Sequence, residues 1–234
     1  MKKLFILVCA FNPSNKLVTA FGERRVRQYV AGLERVVDLS EKFPDFDYVL
    51  VDNTITPEWK IPEQLKNIIE KIPNLTTVFF NDNDLPSKNK GCGVIMAWKK
   101  ALSEIDVNKY DYCIHFEPRQ HLKDFSFFDN FIKNPDSYFK ILKARVLPLN
   151  RGFLIRYFFI FFHLYRKQYW TGLFSIKREI FNNYIKEVDL IEMAEKKICL
   201  EDDMFKRIST KHIKPIDHLG LVWHDAFSDN YIEY

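Results

Sequence analysis

The chain has 234 residues, 35 of them basic and 31 acidic, for a formal net charge of +4. That length accommodates one large domain with its own hydrophobic core, and the near-balance of charge, without a dense basic stretch, argues against a dedicated nucleic-acid binder. Composition excludes disorder, collagen and a disulfide scaffold; the four cysteines, Cys9, Cys92, Cys113 and Cys199, are scattered without a CxxC pair and read as reduced core thiols rather than a zinc module.

Met1-Lys2-Lys3 before the apolar run from Leu4 has the outline of a short signal peptide. The run is short, Asn12-Pro13 follows it, and no small-x-small cleavage site is present, so a buried first strand is the expectation. Val26, Val30, Leu33 and Val37 recur at helical spacing and predict an amphipathic helix over about 20–41. A second strand follows at Tyr48 to Val51, ending at Asp52-Asn53, then a short helix near 62–71 and a third strand, Thr76 to Phe80. The Asn- and Asp-rich stretch 81–89 is turn chemistry. Gly91 and Gly93 open a helix with Val94, Trp98, Ala101 and Ile105 on one face, and Tyr110 to Phe116 is a fourth strand. This rhythm means βαβ units and a mostly parallel sheet with helices on both faces.

The second half is less regular: a helix at 124–133, a strand at 138–146, a very aromatic stretch at 151–165, a strand at 172–175 leading into a helix from about 178, a helix starting near Asp202, and extended chain over 213–223. The expectation is one domain over 1–234, with a nucleotide-binding half (1–120) and an acceptor-binding half (121–234). No apolar run approaches the roughly 20 residues of a transmembrane helix, so none is expected; with cysteines that read as reduced thiols, the expected location is the cytoplasm or, peripherally, the inner face of the membrane.

In an open parallel sheet, ligands bind beyond the C-terminal strand ends. The polar residues there are Asn12, Asp52 with Asn53, Asn81 with Asp82, and Glu117 with Arg119. The order Cys9-Ala10-Phe11-Asn12, Val51-Asp52-Asn53 and Asn89-Lys90-Gly91-x-Gly93, followed by the strand-to-helix stretch Thr171 to Arg178 and the acidic triplet Glu201-Asp202-Asp203, resembles the GT-A glycosyltransferases of the family 2 type. The matches run from residue 7 to about 207. The resemblance implies a GT-A-like α/β fold that moves a sugar from a nucleotide-sugar donor to a saccharide or lipid-linked acceptor, with inversion, in surface polysaccharide or glycolipid synthesis.

It also implies roles. Phe11, Asn12, Asp52, Asn53, Lys90 and Gly91 would hold the donor: Phe11 as a stacking face, Asp52 on base or ribose, and the glycine-rich helix start on the diphosphate, although both glycines equally suit a tight turn and close packing. Asp202 would be the general base, with Glu201 placing the acceptor, although carboxylates in a first helical turn also serve as caps. The sequence departs from the pattern after the fourth strand. Where such enzymes carry Asp-x-Asp for Mg or Mn, it has Glu117-Pro118-Arg119. Either Arg119 supplies the charge a metal would, or a weak ion is held by Glu117 with His224, or the chain is a non-catalytic nucleotide-sugar-binding module. Residues 151–169 hold eight aromatics flanked by basic residues, which suits either peripheral contact with the lipid interface or a core helix.

Overall fold

The computed structural model describes residues 1–13, 22–82, 84–145, 165–224 and 231–233. Strand β1 (Lys3–Cys9) is buried along its whole length. Leu4, Ile6 and Val8 enter one hydrophobic core, and Phe5, Leu7 and Cys9 enter another, because successive strand side chains point to opposite faces. A strand sandwiched in this way must lie inside a sheet covered on both sides.

Around it run β2 (Phe46–Asp52), β3 (Leu75–Phe79), β4 (Tyr112–Phe116) and β9 (Leu173–Lys177), in the order β3-β2-β1-β4-β9. The first four are parallel, and β9 runs antiparallel along β4. This is the mixed α/β fold with a mostly parallel sheet expected from the sequence.

One face carries helices α1 (Gly22–Lys42), α2 (Glu63–Ile69) and α4 (Ser126–Lys133); the other carries α3 (Lys90–Glu104), α5 (Arg178–Glu187), α6 (Leu190–Lys196) and α7 (Leu200–Arg207). The buried stripe of α1 is centred on Tyr29, Leu33, Val36 and Leu39, while Val26, Val30 and Val37 flank it half-buried. On the opposite face, Trp98 of α3 is fully buried and donates from Nε1 to His115 Nδ1 at 3.0 Å. Burial pushes the His115 imidazole down to about 3, so it is a neutral core residue at physiological pH.

Short pairings extend the second half. β5 (His121–Leu122), β11 (Leu221–His224) and β12 (Tyr231–Glu233) form one small sheet; β6 (Tyr138–Phe139) pairs with β10 (Lys214–Pro215), and β7 (Ile141–Arg145) pairs with β8 (Tyr165–Tyr169). The strand expected over 138–146 is therefore two pieces. Tyr165–Tyr169, the tail of the aromatic segment, is a strand with Tyr169 in the core. The rest of that segment, 151–164, lies outside the described residues. Among the described residues, no helix is long and apolar enough to cross a membrane.

The turn after β4 lies directly against α1. A Cβ on Gly32 would stand 1.7 Å from the Pro118 carbonyl oxygen, so only glycine permits this approach. Elsewhere in a helix, replacing glycine by alanine gains about 1 kcal/mol. Gly32→Ala should instead lower the thermal midpoint, with an overpacking cost of about 1–3 kcal/mol or more. A variant more stable than the parent in thermal unfolding would contradict this packing.

Candidate active site at the divergence of β1 and β4

From β1 the chain winds outward through β2 and β3, then crosses back to place β4 on the other side of β1. At such a reversal of strand order a ligand crevice is expected beyond the C-terminal strand ends, between residues 10–12 on one side and residues 117–120 on the other.

Helix α1 grips the first wall. Arg25 Nε donates to the Ala10 carbonyl at 2.7 Å, and Ala10 N donates to Tyr29 Oη at 2.7 Å. The Arg25 guanidinium lies 5.7 Å from the Tyr29 ring centroid. On the second wall, Glu117 N donates to the Gly172 carbonyl at 3.1 Å, prolonging the β4–β9 ladder, and Gln120 N donates to the Glu117 carbonyl at 2.9 Å. Arg119 Nη2 stands 3.8 Å from Glu117 Oε2, with the two side chains 12% and 25% exposed. Thr171, just before β9, donates from Oγ1 to Glu201 Oε1 at 3.1 Å.

Burial pushes the Glu117 carboxyl above its usual range; Arg119 opposes this, the nearby Glu201 charge adds to it, and Arg25 and a hydrogen bond from Gln120 pull it back. Charged side chains from three places in the fold thus act on Glu117: Arg25 of α1, Arg119 two residues on after β4, and Glu201 in the first turn of α7. Guanidinium groups of this kind suit phosphate oxygens, and a partly desolvated carboxylate suits a hydroxyl or its proton.

Asp52 is placed differently from the expectation of a nucleoside contact. It is fully buried and accepts from Phe11 N at 2.7 Å, Thr54 N at 2.7 Å and Thr54 Oγ1 at 2.6 Å. It is a bracket joining the ends of β1 and β2. Burial raises its pKa, and those hydrogen bonds oppose the rise. Asn53 is also buried, and its carbonyl accepts from Asp82 N at 3.2 Å. Asn12 N donates to Thr54 Oγ1 at 2.9 Å. Phe11 is buried, with the Tyr29 ring edge-on at 4.8 Å and the Trp59 ring stacked at 6.3 Å.

The start of α3 follows the packing alternative. Asn89 caps it, accepting from Gly91 N at 2.9 Å, and its Nδ2 donates to the carbonyls of Met193 and Ile198 at 2.9 and 2.7 Å. A Cβ on Gly91 would meet Leu200 at 3.1 Å, and one on Gly93 would meet Asn53 and Pro86 at 3.2 Å. Segment 193–200 therefore covers this helix end, while Lys90 is exposed beside it.

The acidic triplet divides three ways. Glu201 joins the crevice. Asp202 pairs with Arg166 Nη1 of β8 at 2.7 Å and accepts from Cys199 Sγ at 2.9 Å. Asp203 is buried and accepts from Tyr184 Oη at 3.0 Å and Arg207 Nε at 2.9 Å. Arg166, expected at lipid headgroups, is engaged by Asp202. His224 ends β11, and its side chain lies outside the described atoms. Among the described residues, no three His, Cys, Asp or Glu side chains are grouped closely enough to hold a metal ion by themselves.

Sequence reasoning missed Arg25, Trp59 and Arg166 as partners of the site. Arg25 carried no signal because its partner, the Ala10 carbonyl, lies 15 residues back in the turn after β1.

No known family model matches the chain, and no curated protein matches it. Among solved structures, it is similar to the galactosyltransferase LgtC in complex with donor and acceptor sugar analogs, at 10% identity and a TM-score of 0.45 over 92% of this chain and 73% of that one. It is also similar to the mannosyltransferase Ktr4p from S. cerevisiae in complex with GDP, at 10% identity and a TM-score of 0.48 over 92% and 69%. A third is a 4-diphosphocytidyl-2C-methyl-D-erythritol synthase, at 10% identity and a TM-score of 0.42 over 84% of each chain. Likenesses this distant decide no activity, so the functional reading rests on the site itself.

The bracket makes a clear prediction. Asp52→Ala removes the acceptor of three buried hydrogen bonds, and each donor left unpaired costs about 1–3 kcal/mol. The variant should lose several degrees of thermal midpoint whether or not a nucleotide is present. A variant with unchanged stability and weakened nucleotide binding would return Asp52 to the role of ligand contact.

Proposed function

We propose that this chain is a glycosyltransferase that binds a nucleotide-sugar donor in the β1/β4 crevice and passes the sugar to a saccharide or lipid-linked acceptor. The observation that carries the reading is the convergence of Arg25, Glu117, Arg119 and Glu201 at the divergence point of a parallel sheet. The order of motifs along the sequence supports it independently.

Sugar transfer has two electrostatic demands. Negative charge grows on the departing diphosphate, and the acceptor hydroxyl must lose a proton as it attacks. Preorganised cations meet the first demand and a positioned carboxylate the second. Arg119 and Arg25 are the cations in this reading. For the carboxylate, Glu201 takes precedence over Asp202, because Glu201 acts on Glu117 at the crevice whereas Asp202 is held by Arg166 and Cys199. Asp202 then fixes the start of α7 through Arg166. Attack from the face opposite the leaving diphosphate gives inversion.

A hard divalent ion takes one or two carboxylates beside phosphate oxygens. Glu117 fits as that carboxylate should the donor bring Mg or Mn, which would supply further charge for the diphosphate. Arg119, 3.8 Å away, fits the metal-free arrangement. The surface-polysaccharide or glycolipid setting draws its support from the aromatic, base-flanked stretch that begins at Arg151.

Nucleoside diphosphate release from a panel of nucleotide sugars tests this reading. Glu201→Gln should retain donor binding and lose transfer by about 10²-fold or more, the scale of a general base, and Asp202→Asn should lose much less. Arg119→Ala should lower both donor affinity and turnover, and turnover should survive EDTA. Loss of transfer in Asp202→Asn alone would restore Asp202 as the base. Abolition by EDTA with rescue by Mn would show that Glu117 works with a metal. Donor binding with no turnover of any sugar would make the chain a binding module.

A further inference from the structure

The first turn of α7 is pinned on either side of Glu201. Leu200 lies against the start of α3, its Cβ 3.1 Å from where a Cβ on Gly91 would stand. Asp202 pairs with Arg166 at 2.7 Å, and Asp203 is held by Tyr184 and Arg207. Between them, half-buried Glu201 reaches the chain just before β9, where Thr171 Oγ1 donates to its Oε1 at 3.1 Å. Thr171 is in turn fixed through both neighbours. Trp170 N donates to the Lys140 carbonyl at 2.8 Å, and the Gly172 carbonyl accepts from Glu117 N at 3.1 Å. Thr171 is buried, and a β-branched side chain has few rotamers to choose from. Its hydroxyl therefore projects from a rigid stretch of backbone. The glutamate it meets is a long side chain that loses much rotamer freedom when ordered.

We propose that Thr171 is a positioning residue for sugar transfer, its hydroxyl holding the Glu201 carboxylate in place for the acceptor; this deepens the reading of Glu201 as the base and rests on it. A carboxylate free to turn among its rotamers loses the advantage of proximity, which depends on alignment of the reacting groups. With Oε1 accepting from Thr171, Oε2 is the oxygen left to take the acceptor's proton. The contact is longer than the usual hydroxyl–oxygen bond of about 2.7–2.8 Å, and catalytic hydrogen bonds often tighten only once substrate is bound. The same Thr171–Gly172 stretch carries the backbone that prolongs the ladder to Glu117. One short segment thus ties both crevice carboxylates together, Glu117 through its backbone and Glu201 through its side chain. Thr171 acts through Glu201 and has no contact of its own with the sugar.

The test follows nucleoside diphosphate release from UDP-glucose, UDP-galactose and GDP-mannose by the full chain, with water or a free hexose as acceptor. Thr171→Val keeps the shape of the side chain and removes the hydroxyl. It should lower kcat about 10- to 100-fold, the scale of a lost hydrogen bond to a charged group, with the donor KM near parental. Thr171→Ser, which restores the hydroxyl, should recover most of kcat. In a Glu201→Gln background, Thr171→Val should cost little more, because residues that act as a unit are not additive. Parental kcat in a folded Thr171→Val variant, with Glu201→Gln inactive, overturns the inference and leaves Glu201 standing as the base. Equal losses in Thr171→Val and Thr171→Ser, or a full further loss in the double variant, would mark Thr171 as merely structural and also overturn it. Parental turnover in Glu201→Gln, or no turnover by the parent chain, removes the base reading and this inference with it. Should Thr171→Val fail to fold, Thr171→Ala takes its place with the same outcomes.

Discussion

The C-terminal end of β1 is the point on which the rest of the structure depends. It is held from three directions within three residues. Arg25 and Tyr29 of α1 take the Ala10 backbone, Asp52 of β2 takes the Phe11 backbone, and Thr54 takes that of Asn12. Each contact engages a backbone group that has left the sheet ladder and would otherwise be buried without a partner, a cost comparable to a lost hydrogen bond. Fixing this one turn sets the near wall of the crevice and the position of Phe11, and through Phe11 the position of Trp59.

The opposite wall is fixed by close backbone packing together with the end of the β4–β9 ladder. Gly32 lets the Glu117–Gln120 turn rest on the backbone of α1, and Gly172 pairs with Glu117 at the end of the ladder. Helix α1 therefore touches both walls. It grips one with Arg25 and Tyr29 and seats the other at Gly32, one helical turn further on. The separation of the two walls, and hence of Arg25 from Arg119 and Glu117, is set by a single rigid element. Preorganised charge is useful in catalysis only when it need not rearrange as charge develops, and a shared helix supplies that rigidity.

The sheet was legible in the sequence because its signal is local. The unbroken apolar run Leu4 to Cys9 and the alternation of helical and strand periods gave β1 to β4 and their helices within a few residues. The site was legible in position and less so in role. Glu117 and Arg119 stand together after β4, the strand end at which the sequence placed them, whereas Glu201 entered through the resemblance of the acidic triplet. Asp52, polar and at a strand end, carries the same local signal as a ligand contact, and only the backbone donors of Phe11 and Thr54 show that it is a bracket. Glycines 91 and 93 likewise look the same in sequence whether they cradle phosphate or admit Leu200 and Pro86. Arg25 and Arg166 were invisible because their partners lie 15 and 36 residues away, beyond any periodic pattern. The strand at 165–169 was masked by an aromatic composition that suits a lipid interface as readily as a core.

Two positive poles could receive a donor diphosphate: the Arg25–Arg119 crevice and the amino end of α3. The most direct measurement is a crystal structure of the chain with a nucleoside diphosphate bound. The account predicts the phosphates between Arg25 and Arg119 beyond the ends of β1 and β4, with Asp52 still bonded to Phe11 and Thr54. Phosphates seated on Gly91 and Lys90 at the start of α3, or a nucleotide bound away from the crevice altogether, would contradict it.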